Sequence, residues 1–301
     1  MIIDGKKIAE DVFQTLEKQR AGMSRAPRLG IVLGGGNAAT ASYVRIKALA
    51  AERLGVELVR EELPNTASVA DAIAAVKSLA GKCDGVVVQL PLPQNIDTEK
   101  VLAAIPSSKD VDALGGAISC AAVLEKGVCR VTDEATSGNF SAEKLLYPFQ
   151  ASAAQEVAIQ SHSPVAEAMM EIFSRADVSV AGKKAVVVGA GRLVGVPCAA
   201  LLRAQGAHVS VVTQVKGSLD ELKDADIVVL GVGEPHMIKP EMLKKGVALI
   251  DAGTSESNGK LAGDADPSCA EIASVFTPVP GGVGPIAIAM LFKNLFALAE
   301  K

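Results

Sequence analysis

Short β-branched runs alternate along this chain with amphipathic stretches of helical period, and few architectures accept such a pattern. Residues 29–33, 85–90, 185–188, 209–212, 227–230 and 247–250 are continuous apolar segments, as strands buried on both faces are. Residues 44–54, 69–79 and 197–205 lie between them with apolar positions recurring at helical spacing. A strand that is apolar on both faces needs cover on both sides, and intervening helices supply it. The expected fold class is therefore α/β, with parallel sheets. At 301 residues the chain has room for two domains of ordinary size.

Polar and small residues break any period over 117–163, which reads as a connection between domains carrying an insertion. A helical pattern resumes at Pro164. The last one, 286–298, follows a Pro/Gly loop and is placed to return to the first domain.

A formal net charge of −4, with 49% hydrophobic and 21% charged residues, gives no electrostatic grip on nucleic acid or an anionic membrane. The opening residues carry Asp4, Glu10, Asp11 and Glu17, so they lack the apolar core of a secretory signal. No apolar run reaches the ~20 residues that span a bilayer. A cytoplasmic enzyme or binding protein is expected. Five cysteines and three histidines are scattered without metal-ligand spacing, so no bound metal is expected and the cysteines read as small buried apolar residues.

Strand 185–188 runs into Gly189-Ala190-Gly191-Arg192-Leu193-Val194-Gly195 and then a helix. Glycines there allow a tight turn and a close approach of backbone to a pyrophosphate, and the N–H groups at the helix start attract its charge. An NAD-type site places a carboxylate ~20 residues later, at the end of the second strand. Here that strand ends in Thr213-Gln214-Val215-Lys216, without one. Lys216 or Arg192 is available to a 2′-phosphate instead, which favours NADP, with NAD the alternative.

Tyr43 and Lys47, four apart on a helical stretch, share a face. An aromatic ring beside an amine suits stacking a flat heterocycle while moving a proton. Strand 85–90 closes with Gln89-Leu90-Pro91-Leu92-Pro93, Lys109-Asp110-Val111-Asp112 follows, and Thr277-Pro278-Val279-Pro280-Gly281-Gly282-Val283-Gly284-Pro285 precedes the last helix. Prolines stop the strand, and the Pro/Gly loop makes rigid backbone without bulky side chains, as one wall of a site for a planar ligand.

Together these segments resemble the bifunctional methylenetetrahydrofolate dehydrogenase/methenyltetrahydrofolate cyclohydrolase family, in order and spacing, over nearly the whole chain. The resemblance implies an N-terminal catalytic domain, 1–150, completed by 284–301, and a Rossmann-type NAD(P)-binding domain, 151–283, with a folate cleft at their junction and a homodimer. It implies Lys47 as the central acid/base group, Tyr43 stacking on folate, Gln89 supporting the lysine and Asp112 holding the pterin. Leu90, Pro91, Pro278, Gly281 and Gly282 would line the substrate site. Besides the 189–195 loop, Thr213, Gln214, Gly231, Val232, Gly233 and Thr254 would bind cofactor.

The chemistry implied is oxidation of 5,10-methylenetetrahydrofolate with NADP, then hydrolysis of the methenyl product to 10-formyltetrahydrofolate. The chain departs from the family where Ala190 and Gly191 replace Arg and Ser, and where Val212-Thr213-Gln214 replaces Cys-His-Ser. Rival readings are a dehydrogenase of this family without the hydrolytic step, a catalytically silent folate- or nucleotide-binding homologue, and another Rossmann oxidoreductase acting on a small hydroxy or amino acid. The retained Tyr43, Lys47, Gln89 and Asp112 argue against the first, Lys47 against the second, and the Thr277–Pro285 loop with the Tyr43/Lys47 pair against the third.

Overall fold

The computed structural model describes residues 1–34, 38–115, 163–213, 219–257 and 260–300. Among them the chain forms two compact units, one from residues 9–115, 163–164 and 288–300, the other from 1–8 and 165–287. The expected boundary at 150/151 and nearly all of the 117–163 connection lie outside the described residues.

After helix α1 (Gly5–Gly22), the first unit is a parallel sheet of β1 (Arg28–Gly34), β2 (Glu57–Leu63) and β3 (Gly85–Gln89), in the order β2-β1-β3. Helices α2 (Ala38–Arg53) and α3 (Val69–Ala80) make the crossovers, and a short α4 (Thr98–Leu102) follows. Strand period two sorts the side chains between two cores. Val86 and Val88 point into one with Val32, Val76 and Leu102, while Val87 points into the other with Leu29, Ile31, Phe292 and Phe296. Helix α3 starts on a capping box, Ser68 accepting from the Asp71 N–H while Asp71 accepts from the Ser68 N–H, a device worth ~1 kcal/mol.

Strand β3 is buried throughout because Asp110 bridges to Val86 on the edge that β1 leaves open. A Cβ at Gly85 would strike Val111 and Leu295, so glycine there lets the Lys109–Asp112 segment and the final helix close on the strand. Strand β2 has no counterpart in the sequence reading. Its Glu57, Arg60, Glu61 and Glu62 hide the alternation, as charges on an edge strand do.

The second unit opens with α5 (Pro164–Arg175) and holds a five-stranded parallel sheet in the order β10-β7-β6-β4-β5. Its strands are β4 (Lys184–Val188), β5 (His208–Val212), β6 (Ile227–Leu230), β7 (Ala248–Asp251) and β10 (Val275–Phe276), with α6 (Gly195–Ala204) between β4 and β5. A small antiparallel hairpin joins β8 (Ser255–Ser257) to β9 (Lys260–Ala262). From β4 the chain goes to β5 on one side and then to β6 on the other. This reversal opens a crevice at the carboxyl ends of β4 and β6, where parallel sheets bind ligands. The first unit has the same reversal at β1 and β3.

Residues 1–8, read from sequence as part of the first domain, lie in this second unit. Ile3 N–H donates to Phe276 C=O at 2.8 Å and Phe276 N–H to Met1 C=O at 2.9 Å, adding a short ribbon beside β10. The final helix, α7 (Val283–Ala299), begins in this unit, and its residues from 288 onward belong to the first. Among the described residues no helix is long and apolar enough to cross a membrane.

Candidate active site

In the first unit, α2 carries Tyr43 and Lys47, as the four-residue spacing requires, but their surroundings differ. Tyr43 is 40% exposed, while Lys47 is 7% exposed. The lysine Nζ donates to Gln89 Oε1 at 2.8 Å at the end of β3. Gln89 Nε2 in turn donates to Leu90 C=O at 2.9 Å, which turns the amide oxygen toward the lysine. Burial strips water from the ammonium and lowers the Lys47 pKa, and the nearby Asp112 carboxylate opposes this in part. Asp112, partly buried, is shifted upward by its own desolvation, with Lys47 pulling the other way. The three polar groups named from sequence, Lys47, Gln89 and Asp112, thus form one electrostatically coupled cluster at the carboxyl end of the sheet. Leu90 is half-buried and Pro91 exposed beside it.

In the sequence Asp110 stands out only as part of the Lys-Asp-Val-Asp segment. It is 2% exposed, and its Oδ1 and Oδ2 accept from Leu114 N–H at 3.2 Å and Gly115 N–H at 2.6 Å. Desolvation pushes this carboxyl up to about 6 despite those bonds. It ties the turn that carries Asp112 and the positive-φ Ala113 back onto the strand edge.

In the second unit, the glycines of the 189–195 loop have separate duties. Gly189 has φ +103°, and a Cβ there would lie 2.6 Å from Gly231 O, so the loops after β4 and β6 touch backbone to backbone. A Cβ at Gly195 would fall on the Gly189 carbonyl, which seats the first turn of α6 against the loop. Gly191 faces open space, since its Cβ would meet only Gly231 O, at 3.9 Å. No side chain caps the N-terminus of α6 at Val194; Val196 N–H donates to Gly191 C=O at 3.1 Å inside the loop, and Pro197 carries no N–H. A tight turn and an open glycine face at the start of a helix fit a dinucleotide pyrophosphate.

Ala190 is exposed and Arg192 half-buried, its pKa lowered by desolvation. Leu193 and Val232 are both large, exposed apolar side chains flanking the crevice. Thr213 closes β5, Gly231 and Gly233 lie after β6, and Thr254 after β7. Gln214 and Lys216 lie outside the described residues.

Pro278, Gly281 and Gly282 belong to this second unit and not to the unit that holds Lys47. Gly282 N–H donates to Pro278 C=O at 2.8 Å and Gly5 N–H to Gly281 C=O at 2.9 Å, tying the loop to itself and to the start of α1 through backbone. Thr277, fully buried, accepts the Asp251 N–H at 2.6 Å and donates to Asp251 C=O at 3.2 Å. Asp251 and Asp264, two buried carboxylates beneath these loops, were not singled out from sequence. The available signal was an acidic residue closing an apolar strand, Ile250-Asp251, and another inside Ala262-Gly263-Asp264-Ala265. Among the described residues no cluster of three or more His, Cys, Asp or Glu is arranged to hold a metal ion.

Comparison with known proteins covers both units. Residues 3–112 match the family model of the tetrahydrofolate dehydrogenase/cyclohydrolase catalytic domain, and residues 163–301 match that family's NAD(P)-binding domain. The bifunctional protein FolD of Staphylococcus aureus is 34% identical, over 100% of this chain and 96% of its own length. The structure of the bifunctional FolD methylenetetrahydrofolate dehydrogenase/cyclohydrolase of Campylobacter jejuni superposes with a TM-score of 0.84 at 28% identity, covering 100% of this chain and 98% of that one. That of the Trypanosoma brucei FolD, complexed with NADP cofactor and inhibitor, does so with a TM-score of 0.82 at 29% identity, covering 100% and 97%.

Proposed function

Since the chain belongs to the tetrahydrofolate dehydrogenase/cyclohydrolase family, we propose that it is a bifunctional one-carbon enzyme. It oxidises 5,10-methylenetetrahydrofolate with NADP and hydrolyses the methenyl product to 10-formyltetrahydrofolate. The observation that carries this reading is Lys47, a buried amine held at 2.8 Å by a neutral amide oxygen and kept from its ordinary pKa by desolvation.

A lysine so placed is populated as the neutral amine nearer neutral pH than an exposed one, and can take a proton from water as the water attacks the methenyl carbon. Gln89 accepts from Nζ and fixes its direction without adding a charge that would raise the pKa. Asp112 supplies the carboxylate suited to the donor groups of a pterin, and the exposed ring of Tyr43 offers a stacking surface. Bound NADP supplies the hydride acceptor. The 189–195 loop holds its pyrophosphate through backbone and helix start, and Gly231, Val232, Gly233, Thr213 and Thr254 line the same end of the sheet. Leu90 and Pro91 complete the substrate wall of the Lys47 unit in this reading, and Pro278, Gly281 and Gly282 of the other unit are substrate-binding positions by family resemblance.

Two finer points belong to the same proposal. A homodimer is supported by Ile46 and Leu49 on α2, 45% and 56% exposed, together with the open edge of β2. A cytoplasmic location is supported by Cys83, Cys198 and Cys269, each buried and free. The domain division follows the two compact units, with α7 completing the catalytic one.

The test is absorbance-monitored turnover of 5,10-methylenetetrahydrofolate with NADP and, separately, NAD, for wild type beside Lys47→Met. Wild type should reduce NADP without accumulating methenyl product, and the variant should accumulate it, because loss of a general base costs ~10²–10⁴-fold in the step it serves. Absence of cofactor reduction by wild type would sink the dehydrogenase half. Equal loss of both steps in Lys47→Met would remove the lysine from a specifically hydrolytic role.

A further inference from the structure

At the carboxyl end of the second sheet, three consecutive backbone N–H groups converge on one side chain. Asp264 Oδ2 accepts from Val232 N–H at 2.7 Å and Gly233 N–H at 3.2 Å, while Oδ1 accepts from Gly233 N–H at 2.9 Å and Glu234 N–H at 2.8 Å. Gly233, with φ +83°, supplies the turn that aims them together. Successive N–H groups folded in this way form a concave nest for an anion, and here the anion is the protein's own. Asp264 has no solvent exposure. A Cβ at Gly253 would fall on its carboxylate, so the group is clamped between the turn after β6 and the turn after β7.

We propose that Asp264 is the positioning residue of the cofactor site: by filling the nest it fixes the Val232–Gly233 turn, and with it the wall of the β4/β6 crevice. The inference rests on the reading that this crevice takes NADP. Because the nest is filled, the cofactor phosphates are left to the 189–195 loop and the start of α6, and the 232–234 turn meets the cofactor with its Val232 side chain, 43% exposed. Two neighbouring ties keep the turn from drifting. Asp251 accepts from Gly253 N–H at 3.0 Å and Ala265 N–H at 2.8 Å, so the segment that carries Asp264 is itself bound to the end of β7.

The experiment compares wild type, Asp264→Asn and Gly253→Ala by calorimetric titration with NADP, by KM and kcat for NADP reduction, and by hydrolysis of methenyltetrahydrofolate in the absence of nicotinamide cofactor. Asparagine has nearly the shape of aspartate but turns an NH₂ toward backbone N–H groups. Alanine at 253 leaves the carboxylate and displaces it. Both should weaken NADP binding and raise its KM roughly tenfold or more, as expected for charge-assisted hydrogen bonds lost beside a ligand, with hydrolysis within about twofold of wild type. Unchanged NADP affinity in a folded Asp264→Asn would overturn the proposal. Parallel loss of cofactor binding and hydrolysis would also overturn it, because that is the mark of a merely structural role. If Asp264→Asn does not fold, Gly253→Ala decides by the same criteria. Failure of wild type itself to bind NADP would overturn the underlying reading of the crevice, and is told apart from the other results by the wild-type titration.

Discussion

Gly195 and Gly191 stand four apart in one loop, yet the surroundings of their missing side chains predict opposite costs for the same methyl group. A Cβ at Gly195 falls on the Gly189 carbonyl, with Gly189 C at 2.7 Å and Ala190 Cα at 3.0 Å, all backbone. No rotamer relieves that overlap, so α6 and the loop must separate by an appreciable fraction of an ångström. Overpacking of this kind costs ~1–3 kcal/mol of stability, and misplacing a binding backbone by ~1 Å costs on the order of 10² in function. At Gly191 the added Cβ meets only Gly231 O, at an ordinary 3.9 Å. Gly191→Ala should therefore fold as stably as wild type, within about 0.5 kcal/mol, while the methyl occupies space the cofactor needs. Urea unfolding gives the stabilities and calorimetry the NADP affinities, with hydrolysis of methenyltetrahydrofolate as the control. Gly195→Ala should lose both stability and affinity, Gly191→Ala affinity alone. Wild-type NADP affinity in Gly191→Ala would refute the assignment of that open face to the pyrophosphate.

Gln89→Glu places a carboxylate against Lys47 Nζ, which stabilises the ammonium and raises the lysine pKa; the acid limb of the hydrolysis pH profile should move up by about one unit or more, and an unmoved limb would separate the pair. Asp251 is held up at about 6 by desolvation, against the ordinary carboxyl value of 3.8. The folded state thus binds more protons than the unfolded between those values, and the cost of the buried charge is full above about 6 and relieved as pH falls. Relative to Asp251→Asn, wild type should gain about 1 kcal/mol between pH 7.5 and 5 by urea unfolding, and a constant difference would show that the carboxyl titrates normally. Leu49→Glu puts a charge on the exposed face of α2 and should give a monomer by light scattering; an unchanged dimer would place the interface elsewhere.

Much of the second unit was legible because its strands are short, apolar and bounded by glycine. The six strands read from sequence all occur, with ends displaced by no more than a residue or so, as fraying and capping allow. Strand β2 was missed because four of its seven side chains are charged and only the edge position of the strand makes that tolerable. Strand β10 is invisible for want of a local signal: it is two residues long and exists through its pairing with β7 and with Ile2.

For the candidate site, spacing placed Tyr43 and Lys47 on one face, but spacing cannot report that one is exposed and the other buried. That difference arises from β3 and the Asp110 turn, residues distant in sequence. The roles of the buried carboxylates Asp110, Asp251 and Asp264 are hidden for the same reason. Each acts through backbone N–H groups, which carry no residue-type signature.

Among the described residues, a hydrophobic cluster around Val86 and Val88 and another around Val87 and Phe292 lie in the unit of Lys47, and one around Val186 and Val228 lies in the unit of the glycine loop. Side chains that share no packing neighbours accumulate change independently. Each sheet thus carries its own hydrophobic support, built from side chains of its own unit.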